Sequence, residues 1–487
     1  MLAPLLERLR SFSFFDVFKH SSIYFLGTLL TQGLGIISLP VFTYFMDEAE
    51  YGVASIFLSY VNLVSVLLSF NLHLSISRYF HEDKPDVKGF VSTVLSATGL
   101  INLALGGLVY YFRTPIAAYI NLPAETIIYL LLTGYIGVLY YIFFQLKREQ
   151  QKSVELTVVN VFWQYGKFAL AAVGMYLLHE TGRVYMGKII GEMLAGGFFA
   201  LIFIWRIWPF VRLFQLESKH FKYALAYGLP LIPYSIGGYL LNSFDQWLIN
   251  SELGHAEAGL YSFAYKIGML LLGLITALQN AANPAYHRIM NEQRYEQLGP
   301  QVYSIHKLSL LGGVFLLLFA VDLASLLLSF SKNNFQQSLY IVPIIILGYI
   351  FYSMSLLYNR YIQYQKVNIY LTVILLASAL GNLGLNLYFI PLYGYQAAAY
   401  TTLVSYMIMF LLSWLVCDYW LKAPRLPLGK MLLSLLPVLG ITLLYYGLGW
   451  DQKALELGNM ALKLLCFALF AALIFGQSIQ RMLQKGS

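Results

Sequence analysis

Apolar residues in this chain gather in long, nearly unbroken runs, not at the three-and-four spacing of a helix with one wet face. Crossing the hydrocarbon of a bilayer takes about 20 such residues at 1.5 Å of rise each. Runs of that length lie at 22–45, 53–74, 90–112, 126–144, 155–177, 185–205, 227–250, 259–281, 308–328, 339–357, 369–390, 396–417, 431–449 and 458–476, fourteen in all. A backbone in lipid must satisfy its own hydrogen bonds, so each run predicts a helix. The pattern as a whole predicts an all-α polytopic membrane protein with 14 transmembrane helices.

Positive charges between the runs set the orientation. The loops on the side of the N-terminal tail carry 23 Lys and Arg, among them Arg78, Lys147, Arg148, Arg206, Arg288 and Arg360. The opposite side carries four, Arg113, Arg183, Lys332 and Lys453. Lys and Arg are enriched in cytoplasmic loops, so both termini are expected in the cytoplasm. One missed or invented span would swap every later loop and dissolve the asymmetry. The run behind Arg8 and Arg10 is too long for a cleavable signal core, so residues 1–21 read as a retained interfacial segment, with Leu2, Leu5, Leu6, Leu9 and Phe12 on one side.

The chain then starts again. Span 1 follows Lys19-His20, ends near Asp47, Glu48 and Glu50, and restarts at Tyr51-Gly52; span 7 follows Lys219-His220, ends at Glu252 and Glu257, and restarts at Gly259-Leu260-Tyr261. The offset is about 205 residues. Six spans per unit make the repeat parallel, as in some transporters. The expected layout is an N-lobe at 22–205, a cytoplasmic linker at 206–226, a C-lobe at 227–417, and two appended spans with a tail at 418–487.

Composition narrows the function. Apolar residues make up 59%, charged residues 11%, and mean hydropathy is +0.66. The net charge of +8 is spread over loops instead of forming one basic module, so no nucleic-acid partner is expected. Cys417 and Cys466 sit in apolar runs and support neither a disulfide nor a Cys-ligated metal. Gly187-Lys188-Ile189 and Gly429-Lys430-Met431 fail as phosphate loops, no hydrolase elbow or zinc motif occurs, and the eight His are scattered. No cofactor and no metal site is expected. The short outer loops argue against an enzyme of polysaccharide assembly.

Ionisable groups at membrane depth are therefore the functional candidates. In span 5, Thr157, Asn160, Gln164 and Lys167 share one helix face, which either lines a wet cavity or holds helices together. Span 6 carries Lys188 and Glu192 one turn apart, with Glu192 the candidate for ion coupling unless it only neutralises Lys188. Asn242, Asp245 and Gln246 in span 7 lie near Tyr261, Tyr265 and Lys266 in span 8, and Asp245 with Lys266 reads as a structural or a substrate-facing pair. Ser55, Ser59, Asn62, Ser69 and His73 form a further stripe leading to Arg78. Lys463, at the outer end of span 14, reads as a snorkelling residue. Arg78, Lys147, Arg148, Arg288 and Arg360 gather at the cytoplasmic mouth, either to capture a diphosphate or simply to orient the chain.

Three stretches carry a family resemblance: Leu39-Pro40 through Glu50-Tyr51-Gly52; Tyr227-Gly228-Leu229-Pro230-Leu231-Ile232-Pro233 with Asn242-Ser243-Phe244-Asp245 and Gly259-Leu260-Tyr261; and Asn386 through Gly394 into Ala397-Ala398-Ala399. In this order the chain resembles the polysaccharide-transporter branch of the superfamily that also holds multidrug exporters and the lipid II flippases. The resemblance implies two six-helix lobes around a central cationic cavity, and alternating access. It also implies flipping of an undecaprenyl-diphosphate-linked oligosaccharide for O-antigen, capsule or exopolysaccharide across the bacterial inner membrane, with a polymerase and a chain-length regulator as partners. Where the family has Asp-Arg this chain has Asp245-Gln246, and span 1 lacks arginine, which leaves Lys167, Lys188 and Lys266 as the candidate cations for a substrate cavity also lined by Asn160, Gln164, Asn242 and Tyr265. Arg78, Arg288 and Arg360 are the candidates for meeting the diphosphate, and Asp245 and Glu192 for coupling an ion. A cation-coupled multidrug exporter is the alternative.

Overall fold

Hydrogen bonds that lipid cannot supply run along helix axes, and every element among the described residues is helical. The computed structural model of the protein describes residues 14–82, 86–212, 215–331 and 333–486. Leu2, Leu5, Leu6, Leu9 and Phe12 of the expected interfacial segment lie outside them. Two compact units divide the chain, Met1–Gly259 and Leu260–Ser487.

The first unit contains α1 (Phe14–Phe45), α2 (Glu48–Ser69), α3 (Ser75–Tyr79), α4 (Val87–Tyr111), α5 (Arg113–Tyr119), α6 (Thr126–Glu149), α7 (Ser153–Leu177), α8 (Val184–Ile207), α9 (Ser218–Gly228) and α10 (Ile232–Glu252). It also holds the first turn of α11 (His255–Asn291). The acidic turn after α1 is capping machinery: Asp47 accepts the Glu50 backbone N–H at 2.8 Å, and Glu50 accepts that of Val184 at 2.6 Å at the start of α8. The glycines of the apparent sequence repeat have a steric reason. A Cβ on Gly52 would collide with the His255 carbonyl, and one on Gly259 with the Glu48 carbonyl, so the first turns of α2 and α11 meet backbone to backbone. Close approach also fixes α7 against α8, where a Cβ on Gly174 or Gly187 would strike the other's carbonyl oxygen.

The second unit continues with the rest of α11, then α12 (Tyr295–Leu328), α13 (Val342–Tyr364), α14 (Ile369–Tyr393), α15 (Gln396–Leu415), α16 (Leu428–Leu433), α17 (Leu435–Gly447) and α18 (Leu457–Gly486). Buried amides bind α14 to α15: Asn386 Nδ2 donates to Asn382 Oδ1 at 2.9 Å, and the Thr401 hydroxyl donates to Asn386 Oδ1. The turn between the two helices passes through Gly394 at φ +76°, which explains the Pro391 to Gly394 motif.

Among the described residues, twelve helical segments are long and apolar enough to span a bilayer. Two of the fourteen expected runs fall outside that set. Helix α7 forms, but Asn160, Gln164 and Lys167 dilute its apolarity, and the described apolar part of α1 is the shorter Gly33–Phe45. We retain fourteen spans and the six-helix repeat as proposals.

One reading of the sequence is corrected. Lys463 does not snorkel: it is fully buried, and its Nζ lies 2.6 Å from Asp322 Oδ2. The other carboxylate oxygen accepts the Leu455 backbone N–H at 2.9 Å. Snorkelling serves a cation with no partner at depth, whereas here α12 supplies one, so the pair fastens α18 to the second unit. Asp322→Ala should strand a buried ammonium at a cost on the order of 3–5 kcal/mol, read as a lower melting temperature in detergent. The paired change Asp322→Leu with Lys463→Met should recover most of the loss; an unshifted melt in the single variant would show that the pair holds nothing.

Candidate functional site

Within the first unit, the end of α2 with the turn after it, the C-terminal part of α6 and the start of α10 line an open cavity of about 400 Å³. Its walls are Val66, Asn71, His73 and Leu74, then Tyr140, Tyr141, Phe144 and Gln145, then Ser235 and Tyr239. The chain turns sharply after α2, with Phe70 at φ 46° and Asn71 at φ 55°, and this turn aims His73 inward. Asn71 Nδ2 donates to the Ser235 hydroxyl at 3.0 Å, tying the turn to α10. The His73 ring stacks on Tyr141 with centroids 5.0 Å apart. His73 Nδ1 and Gln145 Oε1 are buried and make no hydrogen bond. Buried polar atoms without partners are rare, and here they lie within the wall of the cavity, behind aromatic rings. Such a wall can pack the C–H face of a sugar ring while bonding its hydroxyls.

The cavity connects through side chains to the polar face of α7. The Tyr140 hydroxyl donates to Asn160 Oδ1 at 3.4 Å, and the Tyr140 ring lies 4.3 Å from that of Trp163. Lys167 Nζ sits 4.7 Å from the same indole. Lys188 is buried, with its Nζ 2.8 Å from Glu192 Oε1 and 5.1 Å from the Phe42 ring. Glu192 and Lys188 are also the charges nearest Lys167 in effect. Asn160, Lys167, Lys188 and Glu192 are thus brought together, and Gln164 stands half-buried on the same helix.

Other candidates occupy different surroundings. In α10, Asn242 is exposed and bonds back to the Gly238 carbonyl at 2.6 Å, whereas Asp245 is buried and accepts the Gln246 N–H at 2.8 Å. Tyr265, in the second unit, is buried in a tyrosine cluster, its hydroxyl 3.5 Å from that of Tyr406, and Lys266 beside it is half-buried. Arg78 is exposed over the Tyr227 ring at 5.7 Å, and Arg288 is exposed. Arg360 is buried, bonds the Gln279 carbonyl and lies over Tyr286, so it is a packing residue in this state. Lys147 pairs with Glu155 at 3.3 Å and Arg148 with Glu149 at 3.3 Å, which removes both from an open cationic mouth. In the α2 stripe, Ser59 receives the Trp247 indole N–H at 2.7 Å and Ser69 bonds back to the Val66 carbonyl at 3.2 Å, so these hydroxyls serve packing, and of the stripe it is His73 that lines the cavity.

Sequence reasoning missed Tyr140, Tyr141, Gln145, Ser235 and Tyr239. Aromatics inside an apolar run look like lipid-facing residues. The available signal was Gln145 one turn after Tyr141, which puts an amide and a phenol on one face at the end of an apolar run.

Comparison with known proteins adds the family and the fold. The family model described as polysaccharide biosynthesis protein matches residues 17–290. A protein of the Lsg locus of Haemophilus influenzae is 21% identical over 290 residues, covering 57% of this chain and 68% of that one. The solved structure of the lipid II flippase MurJ in an inward closed conformation superposes with a TM-score of 0.73 at 16% identity, covering 94% of this chain and all of that one. An inward-facing multidrug resistance MATE family transporter of the MOP superfamily gives 0.61 at 14% identity, over 79% of this chain and 93% of that one. The fold is therefore that of MurJ and the MATE transporters.

The buried pair on α8 generates a prediction of its own. Glu192→Gln leaves Lys188 charged and unpaired and should destabilise the protein by on the order of 3–5 kcal/mol, measured by thermal denaturation in detergent. Replacing both residues by Met should restore stability. Parental melting of Glu192→Gln would instead mean that the carboxylate does not hold the fold together.

Proposed function

The chain belongs to the polysaccharide biosynthesis protein family, and we propose that it is a flippase, not an enzyme. Its substrate in this reading is an undecaprenyl-diphosphate-linked oligosaccharide repeat unit of O-antigen, capsule or exopolysaccharide. Alternating access carries the unit from the cytoplasmic to the outer leaflet of the bacterial inner membrane, with both termini in the cytoplasm. A polysaccharide polymerase and a chain-length regulator are the expected protein partners. The observation that carries this reading is the aromatic cavity of the first unit, where Tyr140, Tyr141 and Tyr239 line the wall together with His73 and Gln145. A lipid has no use for such a wall, whereas a hydrated sugar can replace the water it loses there with these rings and amides.

The cationic cluster beside the cavity supports the same substrate class. Lys167 lies one aromatic ring away from Tyr140, where it can meet a diphosphate or an acidic sugar once Glu192 has neutralised Lys188. Arg78, exposed at the end of the α2 turn, is the candidate first contact for the diphosphate. A cation-coupled multidrug exporter is the second reading, favoured by the carboxylates of Asp245 and Glu192 within apolar helices.

The two readings separate in cells. Tyr141→Ala and Gln145→Leu, at matched protein level, should each lower surface polysaccharide roughly five- to tenfold, the loss expected for about 1–1.5 kcal/mol of hydrogen bonding. Drug susceptibility should stay unchanged. Full export in both variants, and in single Ala replacements of Lys167, Lys188 and Lys266, overturns the flippase reading; altered resistance with an intact envelope favours the exporter.

A further inference from the structure

Three potential ligand atoms converge outside the cavity, where the N-terminus of α4, the segment before α9 and α9 itself come together. Asp86, Glu217 and His220 each offer one, and all lie within 4.8 Å of one another. Asp86 caps α4, with Oδ1 accepting the Gly89 N–H at 3.0 Å, so its carboxylate is held in place. Glu217 is held by its own backbone N–H, which donates to the Thr93 hydroxyl at 3.1 Å, and by Gln215 Nε2, which donates to Oε1 at 2.5 Å. His220 is 2% exposed, with its Nε2 3.0 Å from the Tyr79 hydroxyl. Its Nδ1 lies 3.3 Å from Glu217 Oε2 yet makes no hydrogen bond.

We propose that Asp86, Glu217 and His220 form a binding site for a divalent transition-metal ion of the zinc type, completed by water. With Nε2–H donating to the Tyr79 oxygen, the imidazole presents the Nδ1 lone pair towards two carboxylates. That is the arrangement of a metal-binding histidine whose second nitrogen is fixed by an outer partner. Without a cation between them, lone pair and carboxylates repel. Zinc takes nitrogen and oxygen ligands at about 2.0–2.2 Å in a tetrahedron, whose edges are therefore about 3.4 Å, close to the Nδ1 to Oε2 separation. The imidazole selects zinc-like ions over magnesium or calcium.

The surroundings suit a fixed site. Tyr79 stacks on Phe90 with centroids 3.9 Å apart, and both rings meet His220 edge-on, so the imidazole has little freedom. Burial also raises the Tyr79 phenol above its ordinary value, which keeps its hydroxyl neutral. Arg212 Nη1, 3.5 Å from Asp86 Oδ2, and Lys219 Nζ, 3.5 Å from Glu217 Oε2, compete for the same oxygens. Both side chains are more than half exposed and can swing into water. An ion here would staple the start of α9, which leads directly into α10 and the cavity wall, to the start of α4.

The test uses full-length protein in detergent, stripped with chelator and titrated with Zn²⁺ by calorimetry, with thermal melting alongside. The expected result is one equivalent bound and a higher melting temperature. Asp86→Asn should lose at least tenfold in affinity, because Asn still caps the helix while removing a charged ligand; its metal-free melt checks that it folds. His220→Cys should retain binding, since a thiolate also ligates zinc, and His220→Gln should lose it. Equal affinity in the parent, Asp86→Asn and His220→Gln would mark surface binding and overturn the proposal. So would a protein that binds no zinc.

Discussion

A charge in hydrocarbon has no water to answer it, and the arrangement of this protein follows from finding each one a partner inside the chain. Lys188 and Glu192 pair along one turn of α8, and Asp322 and Lys463 pair between α12 and α18. Near the ends of the helices the same holds, with Lys147 and Arg206 both on Glu155. Once these charges are spent on one another, the open space of the first unit is left to neutral groups. Its recognition chemistry is then ring stacking and hydrogen bonding by tyrosines, an amide and an imidazole. That chemistry suits a sugar, whose surface alternates between C–H faces and hydroxyls.

Helix formation was legible because a membrane run has one solution for its backbone, and the three motif stretches were legible because glycine and proline mark positions with a steric purpose. Gly52 and Gly259, noticed as corresponding points of a repeat, turn out to approach facing carbonyls too closely for any side chain. The Lys188–Glu192 pair could be read because it lies within one helix at a spacing of four. Asp322 and Lys463 could not, since hydropathy places each near a span end without saying which helix lies opposite. The cavity escaped for a different reason: Tyr140, Tyr141 and Tyr239 carry no feature that separates a ring facing a sugar from a ring facing lipid until α2, α6 and α10 are packed. The cluster of Asp86, Glu217 and His220 joins two distant stretches of the chain; Glu217 and His220 share an i, i+3 spacing, but nothing in the sequence brings Asp86 to them.

Two kinds of contact hold the first unit together, and the difference between them bears on transport. Backbone meets backbone between α7 and α8 at Gly174 and Gly187 and again at Gly191, which packs under the Leu170 carbonyl. The backbone of α6 packs on short side chains of α2, where Ser65 bonds the Gly134 carbonyl and a Cβ on Gly137 would crowd the same hydroxyl. Each of these pairs therefore resists sliding, because glycine-mediated contacts leave no flexible atoms to give way.

Between the pairs the contact is made by side chains. Tyr140 and Phe143 of α6 meet Trp163 of α7 and Phe203 of α8 with ring centroids 4.3 to 5.5 Å apart, and Tyr140 and Asn160 add a hydrogen bond. Aromatic rings can change rotamer and still bury the same area, so this seam is where α6 and α7 can shift without breaking either glycine-packed pair. It also carries the cavity on one side and Lys167 on the other. In the proposed reading, a sugar that pushes on Tyr140 and Tyr141 would act on a contact that joins the neutral pocket to the charged cluster, which would give binding a mechanical route to the ion pair without requiring any charged residue to touch the sugar.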